Sequence, residues 1–355
     1  MHISDFEYHL PPELIAQRPA PSRDQSRMLI LDKQTGTWRD SRFTELPTEL
    51  EAGTVVVIND TRVFPARLMG RRKGHRGKVE ILLLRVVAEM TWEALVRPGR
   101  VMGEGTELEF GEGLLWARIV RQLGGGRRLI EFACRPSEIN SLIDRLGIPP
   151  LPPYIRRPSF AQWQADSERY QTIYAQHRGA IAAPTAGLHF TDAVFAALQG
   201  RGIDVVALTH HVGYATFQPV RGEEMEQHQI EAEEYHIPQE TAARINQARQ
   251  QGRPILAVGT TTVRALESAA DAWGYLNPQT GTTDLFIYPG YRFRVVDALL
   301  TNFHLPQSTL LMLVCAFAGR EQVLRAYQHA VTQEYRFYSY GDCMLITEVL
   351  QISPE

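Results

Sequence analysis

The chain has 355 residues, 44% of them hydrophobic and 22% charged, which is too balanced for a disordered protein and long enough for two domains with a sizeable core. Its longest apolar run, Leu310 to Ala318, falls short of the roughly 20 residues that cross a bilayer, and Met1-His-Ile-Ser-Asp lacks a basic-then-apolar signal pattern, so a cytoplasmic protein without membrane contact is expected. The net charge of −3 is unevenly spread: residues 65–149 hold 15 Lys/Arg against 10 Asp/Glu, net +5, leaving 22 against 30, net −8, elsewhere. Cys134, Cys315 and Cys343 are widely separated and form no C-x-x-C pair, which fits reduced thiols rather than disulfides or a thiolate metal site.

Taken in order, the first sixty residues contain prolines that forbid a long helix, then a polar cluster of Arg23, Asp24, Ser26 and Arg27 before a strand from Met28 to Asp32, with Gly36 at the turn of a hairpin. Thr54 to Ile58 is a β-branched run that reads as a strand buried on both faces, ending in Asn59-Asp-Thr-Arg62. From Ala66 to about Gly147 short β-like runs (Val79 to Leu84, Trp92 to Val96, Leu114 to Val120, Leu129 to Phe132) alternate with glycine-rich turns, which predicts a small β-barrel or sandwich. Pro149-Pro-Leu-Pro-Pro153 closes it as a stiff linker.

Strands predicted at Ile181 to Ala183, Val205 to Leu208, Ile255 to Val258 and Val295 to Leu300 then interleave with helices at Asp192 to Leu198, Gln239 to Gln250, Thr261 to Ala270, Thr309 to Ala318 and Glu321 to Thr332. The expected fold class is α/β: a mixed, barrel-like α/β domain from residues 1–64 and 150–355, with an inserted all-β domain at 65–149.

Polar groups recur where strands give way to helices, the place where α/β proteins bind ligands. Thr185 and His189 follow one predicted strand, with Gly187 expected to adopt a backbone conformation closed to other residues and Thr191 to cap the next helix. Gly259, Thr260 and Thr261 open a helix carrying Arg264 and Glu267, a geometry suited to a carboxylate or phosphate, although a well-capped helix accounts for it equally. His210 and His211 project to opposite faces if their strand persists, so one of them can face a site. Tyr288, Asn302, His304 and Asp342 complete the set, and no H-E-x-x-H spacing asks for a metal.

Leu14-Ile-Ala-Gln17, Asn59-Asp-Thr-Arg62 with Pro65-Ala-Arg67, Leu151-Pro-Pro-Tyr-Ile155, Tyr170-Gln-Thr172, Ala182 to Thr191, Val258 to Thr261 with Arg264, Phe286 to Tyr291, Thr301 to Pro306 and Ser339-Tyr-Gly-Asp342 together resemble the S-adenosylmethionine:tRNA ribosyltransferase-isomerase family of queuosine biosynthesis. The resemblance spans nearly the whole chain and is loosest between about Met102 and Asn140. It implies a two-part architecture and transfer, with isomerisation, of the ribosyl group of S-adenosylmethionine onto 7-aminomethyl-7-deazaguanine at the tRNA wobble position, releasing adenine and methionine. S-adenosylmethionine is then a substrate, no cofactor or metal is bound, and the protein is expected to act as a monomer.

On that basis the methionine carboxylate would lie at Gly259 to Thr261, with Thr185 nearby, and meet Arg264, while His189 or His211 removes a C5′ proton. Asp342 or Glu267 would hold the amine or sulfonium, and Tyr288 would offer a cation–π face. Arg71, Arg72, Lys73 and Arg76, on an expected hairpin tip, would neutralise tRNA phosphates. His210, Tyr214, Ala215, Gln218 and Glu231 depart from the family's usual pattern. Two rival readings are a barrel enzyme acting on a free phosphorylated sugar and a non-catalytic RNA-binding protein.

Overall fold

The computed structural model describes residues 1–157, 160–214, 225 and 228–348; Ala215 and Gln218, named above, lie outside them. Nine strands form one mixed sheet in the spatial order Gln279–Thr283, Glu233–Ile237, Asp204–His210, Val55–Asn59, Ile255–Val258, Ala298–Asn302, Cys343–Thr347, Arg27–Asp32, Trp38–Arg42. The four from Asp204–His210 to Ala298–Asn302 are mutually parallel, so their carboxyl ends share one edge of the sheet.

Alternation explains the layers. Val55 and Val57 enter one apolar cluster with Leu29, Leu31, Ile255 and Ala257, and Val56 and Ile58 enter another with Met28, Ile30, Leu256 and Val258. Successive side chains of a strand point to opposite faces, so an all-apolar run needs cover on both. The helices Gln239–Gln250, Thr260–Ala269, Thr309–Ala318 and Arg320–Thr332 supply it on the first face through Ile245, Val263, Leu311 and Val323, and Asp192–Gly200 on the second through Val194 and Leu198.

The strands Arg67–Arg72, Lys78–Ala88, Thr91–Arg97, Arg127–Phe132, Leu115–Gly124 and Glu107–Phe110 pair in that order, and the last pairs back onto the first, closing a six-stranded antiparallel barrel. Leu68, Ile81, Leu83, Ala94, Leu108, Phe110, Ile119 and Ile130 fill it. Closure occurs at Gly70, where a Cβ would stand 2.4 Å from the Glu109 carbonyl oxygen. The returning strand Gly147–Ile148 pairs with Leu68 and Arg67, so the chain enters and leaves the barrel side by side.

Two local expectations are corrected. Ile181 to Ala183 is not a strand: the extended segment is His177–Ala180, and Pro184 leads into a 3-10 turn, Thr185–His189. Gly187 is required for space rather than for φ, since a Cβ there would lie 2.0 Å from the Tyr174 hydroxyl. Thr191 does cap its helix, accepting a hydrogen bond from the Val194 amide at 3.4 Å.

Candidate active site

At the carboxyl ends of the parallel strands lies a cleft, partly open to solvent, bounded by Tyr170, Ala182 to Ala186, Val212, Gly259 to Thr261, Thr301 to His304, Leu310, Tyr338 and Ser339. Its floor follows from one residue. Gly259 has φ 91° and ψ 149°, a conformation essentially restricted to glycine, and it turns the chain from Ile255–Val258 directly into Thr260–Ala269. No side chain caps that helix, and the first amides of an α-helix have no intrahelical acceptor, so the Thr260 and Thr261 amides and the positive helix end are left for a ligand.

The cleft walls also carry polar atoms that the protein leaves uncompensated. Tyr170 Oη, Thr261 Oγ1 and Asn302 Oδ1 are buried and have no hydrogen-bond partner. The Asn302 amide nitrogen donates to the Tyr338 carbonyl at 3.0 Å, which fixes its oxygen as the free acceptor. Each such atom costs roughly 1–3 kcal/mol unless something pairs with it. Tyr338 adds a strained backbone, φ 73°, beside the same opening. Three orphaned atoms, a free helix terminus and a strained residue around one cleft define a site built for a polar ligand with hydrogen-bond donors and an anionic group.

Two histidines belong to this region and a third stands apart. His304 lines the cleft, its Nε2 is 2.9 Å from the Thr301 hydroxyl, and burial pushes its pKa down to about 3. His189 lines a smaller hollow that shares Ser339 with the cleft; its Nδ1 meets the Ser26 hydroxyl at 2.8 Å and its Nε2 has no partner. Burial first, then the Arg336 charge, lower its pKa to about 4. Both imidazoles are therefore neutral near pH 7. His211 does not line the cleft: its Nδ1 is 2.7 Å from the Thr61 hydroxyl, and burial again lowers its pKa.

Other predicted residues sit elsewhere, for legible reasons. Arg264 is spent within the protein, donating to the Leu285 carbonyl at 2.9 Å, to the Thr283 carbonyl at 3.2 Å and to Glu233. Burial pushes the Glu233 carboxyl up, but the His210 hydrogen bond and the Arg264 charge outweigh it and hold the pKa at about 2. His210 completes this buried cluster, with Nε2 3.0 Å from Glu233 and Nδ1 2.8 Å from the Thr261 carbonyl, and so braces the helix start from behind.

Glu267 accepts the amides of Arg294, Val295 and Val296 at 2.9 to 3.2 Å, and Asp342 accepts those of Arg27 and Arg336 at 3.0 and 2.8 Å; neither carboxylate reaches the cleft. Tyr288 packs on Phe286 and does not line it either. Thr185, Gly259, Thr260 and Thr261 do. Sequence reasoning missed Tyr170, whose motif was visible but whose burial was not, and Tyr338, which directly precedes the Ser339-Tyr-Gly-Asp342 motif and whose backbone strain only the fold reveals.

The basic hairpin forms, with Arg71 opposite Lys78, yet Arg71 is paired with Glu109 at 2.8 Å and Lys73 with Glu107 at 2.7 Å. Among the described residues no three His, Cys, Asp or Glu side chains are placed to hold a metal ion, and no helix is long and apolar enough to cross a membrane.

An open α/β sheet with a polar cleft at its carboxyl edge, joined to a closed β-barrel, defines a two-part α/β protein whose cleft lies where such sheets place their ligand sites. The family model described as queuosine biosynthesis protein matches residues 3–346, and the chain belongs to that family. It is 50% identical over 346 residues, covering 98% of this chain and all of the relative, to the S-adenosylmethionine:tRNA ribosyltransferase-isomerase of Moorella thermoacetica. It is 47% identical, with the same coverage, to the protein of that name from Acetivibrio thermocellus. A crystal structure of the S-adenosylmethionine tRNA ribosyltransferase from Thermotoga maritima is similar with a TM-score of 0.55 and 38% identity, over 97% of this chain and all of that one.

Proposed function

We propose that the protein is a transferase that moves and isomerises the ribosyl group of S-adenosylmethionine onto 7-aminomethyl-7-deazaguanine at the wobble position of tRNA, giving epoxyqueuosine-tRNA and releasing adenine and methionine. The observation that carries this reading is the family membership across residues 3–346 together with a cleft whose chemistry suits such a donor. The methionine carboxylate lies at the Thr260 and Thr261 amides, where a helix N-terminus favours an anion. The ammonium or the ribose hydroxyls donate to Asn302 Oδ1, and Tyr170 and Thr261 hydroxyls take the remaining polar contacts. Tyr338 takes the role first given to Tyr288, an aromatic group at the cleft near the sulfonium.

The sulfonium acidifies the ribose C5′ hydrogens. A neutral histidine, His304 at the cleft or His189 behind Asn302, removes one; the electron pair forms C4′=C5′ as the ring opens at O4′–C4′, leaving an aldehyde at C1′ and expelling adenine, the aminomethyl nitrogen adds to C4′ and gives up its proton, C5′ attacks C1′ to close the five-carbon ring, and the C1′ alkoxide displaces methionine from C5′ as the epoxide closes. Burial keeps these rings unprotonated and ready to accept. The test uses S-adenosylmethionine labelled in the ribose or in the methyl group, incubated with modified tRNA. Ribose label entering tRNA with stoichiometric adenine release is the expected result; methyl label in tRNA refutes it.

A further inference from the structure

Beside the cleft, between the barrel wall and residues 150–153, lies a second pocket, partly open to solvent, that includes Arg67, Arg97, Glu80, Leu151, Trp163 and Tyr214 in its walls. We propose that it receives the nucleotide adjacent to the reacting one on the same RNA strand, its base against Trp163 and Tyr214 and its phosphate at Arg67 and Arg97. This rests on the tRNA reading above.

Position is the first reason. Val212 lines the cleft and Tyr214 lines the pocket, so two residues, at most about 7 Å of chain, separate the openings. Leu151 and Ile155 of the pocket pack in one cluster with Tyr170 and Ala183 of the cleft, so the two share a wall. A base held in the cleft therefore puts its strand neighbour at the pocket.

Chemistry is the second. The Arg67 guanidinium lies over the Trp163 ring, 5.1 Å from its centroid, and its buried Nε has no partner. Among the described residues its terminal nitrogens reach only Glu80 at 3.3 Å and the Leu151 carbonyl at 3.5 Å. Arg97 is exposed and makes no ion pair among the described residues. Two cations thus face one carboxylate, and burial with the neighbouring Arg97 charge lowers the Arg67 pKa. An indole, a phenol and an under-neutralised arginine pair match a base and a phosphate, and single-stranded nucleic acid is bound in this way. The basic hairpin offers less: Arg72 lies five residues, roughly 17 Å along the strand, from Arg67, and two of its neighbours are already paired.

The experiment measures binding of an anticodon stem-loop RNA by fluorescence anisotropy, and of S-adenosylmethionine by calorimetry, for the full chain and the variants Arg97→Gln, Trp163→Ala and Trp163→Phe. Arg97 is exposed and unpaired, so its variant leaves the fold intact. We expect RNA affinity to fall roughly ten-fold or more for Trp163→Ala, with most of it restored in Trp163→Phe. Arg97→Gln should make the log–log salt slope shallower by about 0.7. S-adenosylmethionine affinity should be unchanged throughout.

Unaltered RNA affinity and slope, or a parallel loss of S-adenosylmethionine affinity, overturns the proposal. Wild-type adenine release with modified tRNA is scored separately: its absence counts against the proposed function, whereas the binding series decides the pocket.

Discussion

Replacing Gly259 with Ala isolates the residue that shapes the cleft floor. A Cβ at that position would lie 3.7 Å from Thr261 Oγ1 and 3.8 Å from the Ala186 Cβ, both ordinary contacts, so crowding contributes nothing. The cost comes from the backbone, since φ 91° with ψ 149° is closed to alanine at about 1–3 kcal/mol. That energy has two outlets. If the backbone holds, the strain appears as lost stability, a few degrees in melting temperature for a chain of this size. If it relaxes, the Thr260 and Thr261 amides turn away, and S-adenosylmethionine binding weakens by roughly 5- to 150-fold. Thermal melts and calorimetry on one sample measure both, and their sum should fall in the stated range. A Gly259→Ala protein with unchanged melting temperature and unchanged affinity refutes the account of the helix terminus as the anion site.

His304→Ala should lower single-turnover rate by roughly 10²–10⁴-fold with tRNA affinity retained, whereas His211→Ala, away from the cleft, should cost less than ten-fold; the reverse order would move the base to the Thr61 side. Because His304 and His189 have folded pKa values of about 3 and about 4, below the unfolded value near 6.5, the stability they contribute is present above pH 6.5 and is lost as pH falls toward 4. Urea melts at pH 7.5, 6 and 5 should show that decline, and a flat profile contradicts it. Arg264→Ala leaves Glu233 buried without its guanidinium, so it should cost on the order of 3–5 kcal/mol, and the double variant Glu233→Gln/Arg264→Met should recover much of it; selective loss of S-adenosylmethionine binding in a fully stable Arg264→Ala protein would restore the ligand role.

Much of the framework was readable because its signals are local. The run Val55, Val56, Val57, Ile58 announces a strand covered on both faces, Gln239–Gln250 carries its own spacing, and Thr191 and Ser308 cap the helices that follow them. The strands Glu233–Ile237 and Gln279–Thr283 were missed because Glu, His, Gln and Gly are weak strand formers and their pairing with each other decides the matter. Gly259 to Thr261, which line the cleft, stand out in the sequence as a glycine at a strand-to-helix junction, which is again local. That Arg264 and Glu267 face protein partners rather than the cleft was not legible, because residue type reports charge but not its partner: Glu233 is 31 positions from Arg264, and the amides that saturate Glu267 lie at 294–296. Tyr170 and Asn302 became meaningful only once burial showed which polar atoms had been left alone.

The large sheet imposes an order of assembly. Val55–Asn59 is flanked by Asp204–His210 and Ile255–Val258, and Arg27–Asp32 pairs with Cys343–Thr347, Met28 standing opposite Cys343. The first strands to leave the ribosome must therefore wait, with edges and apolar faces uncovered, for partners made some 150 to 315 residues later. The barrel is made from neighbours, its strands spanning only Arg67 to Phe132, and loop closure favours such contacts early. During synthesis it stands as a folded island between two unfinished halves of one sheet. Chaperone demand and aggregation should accordingly concentrate on the segment before residue 65 rather than on the insertion.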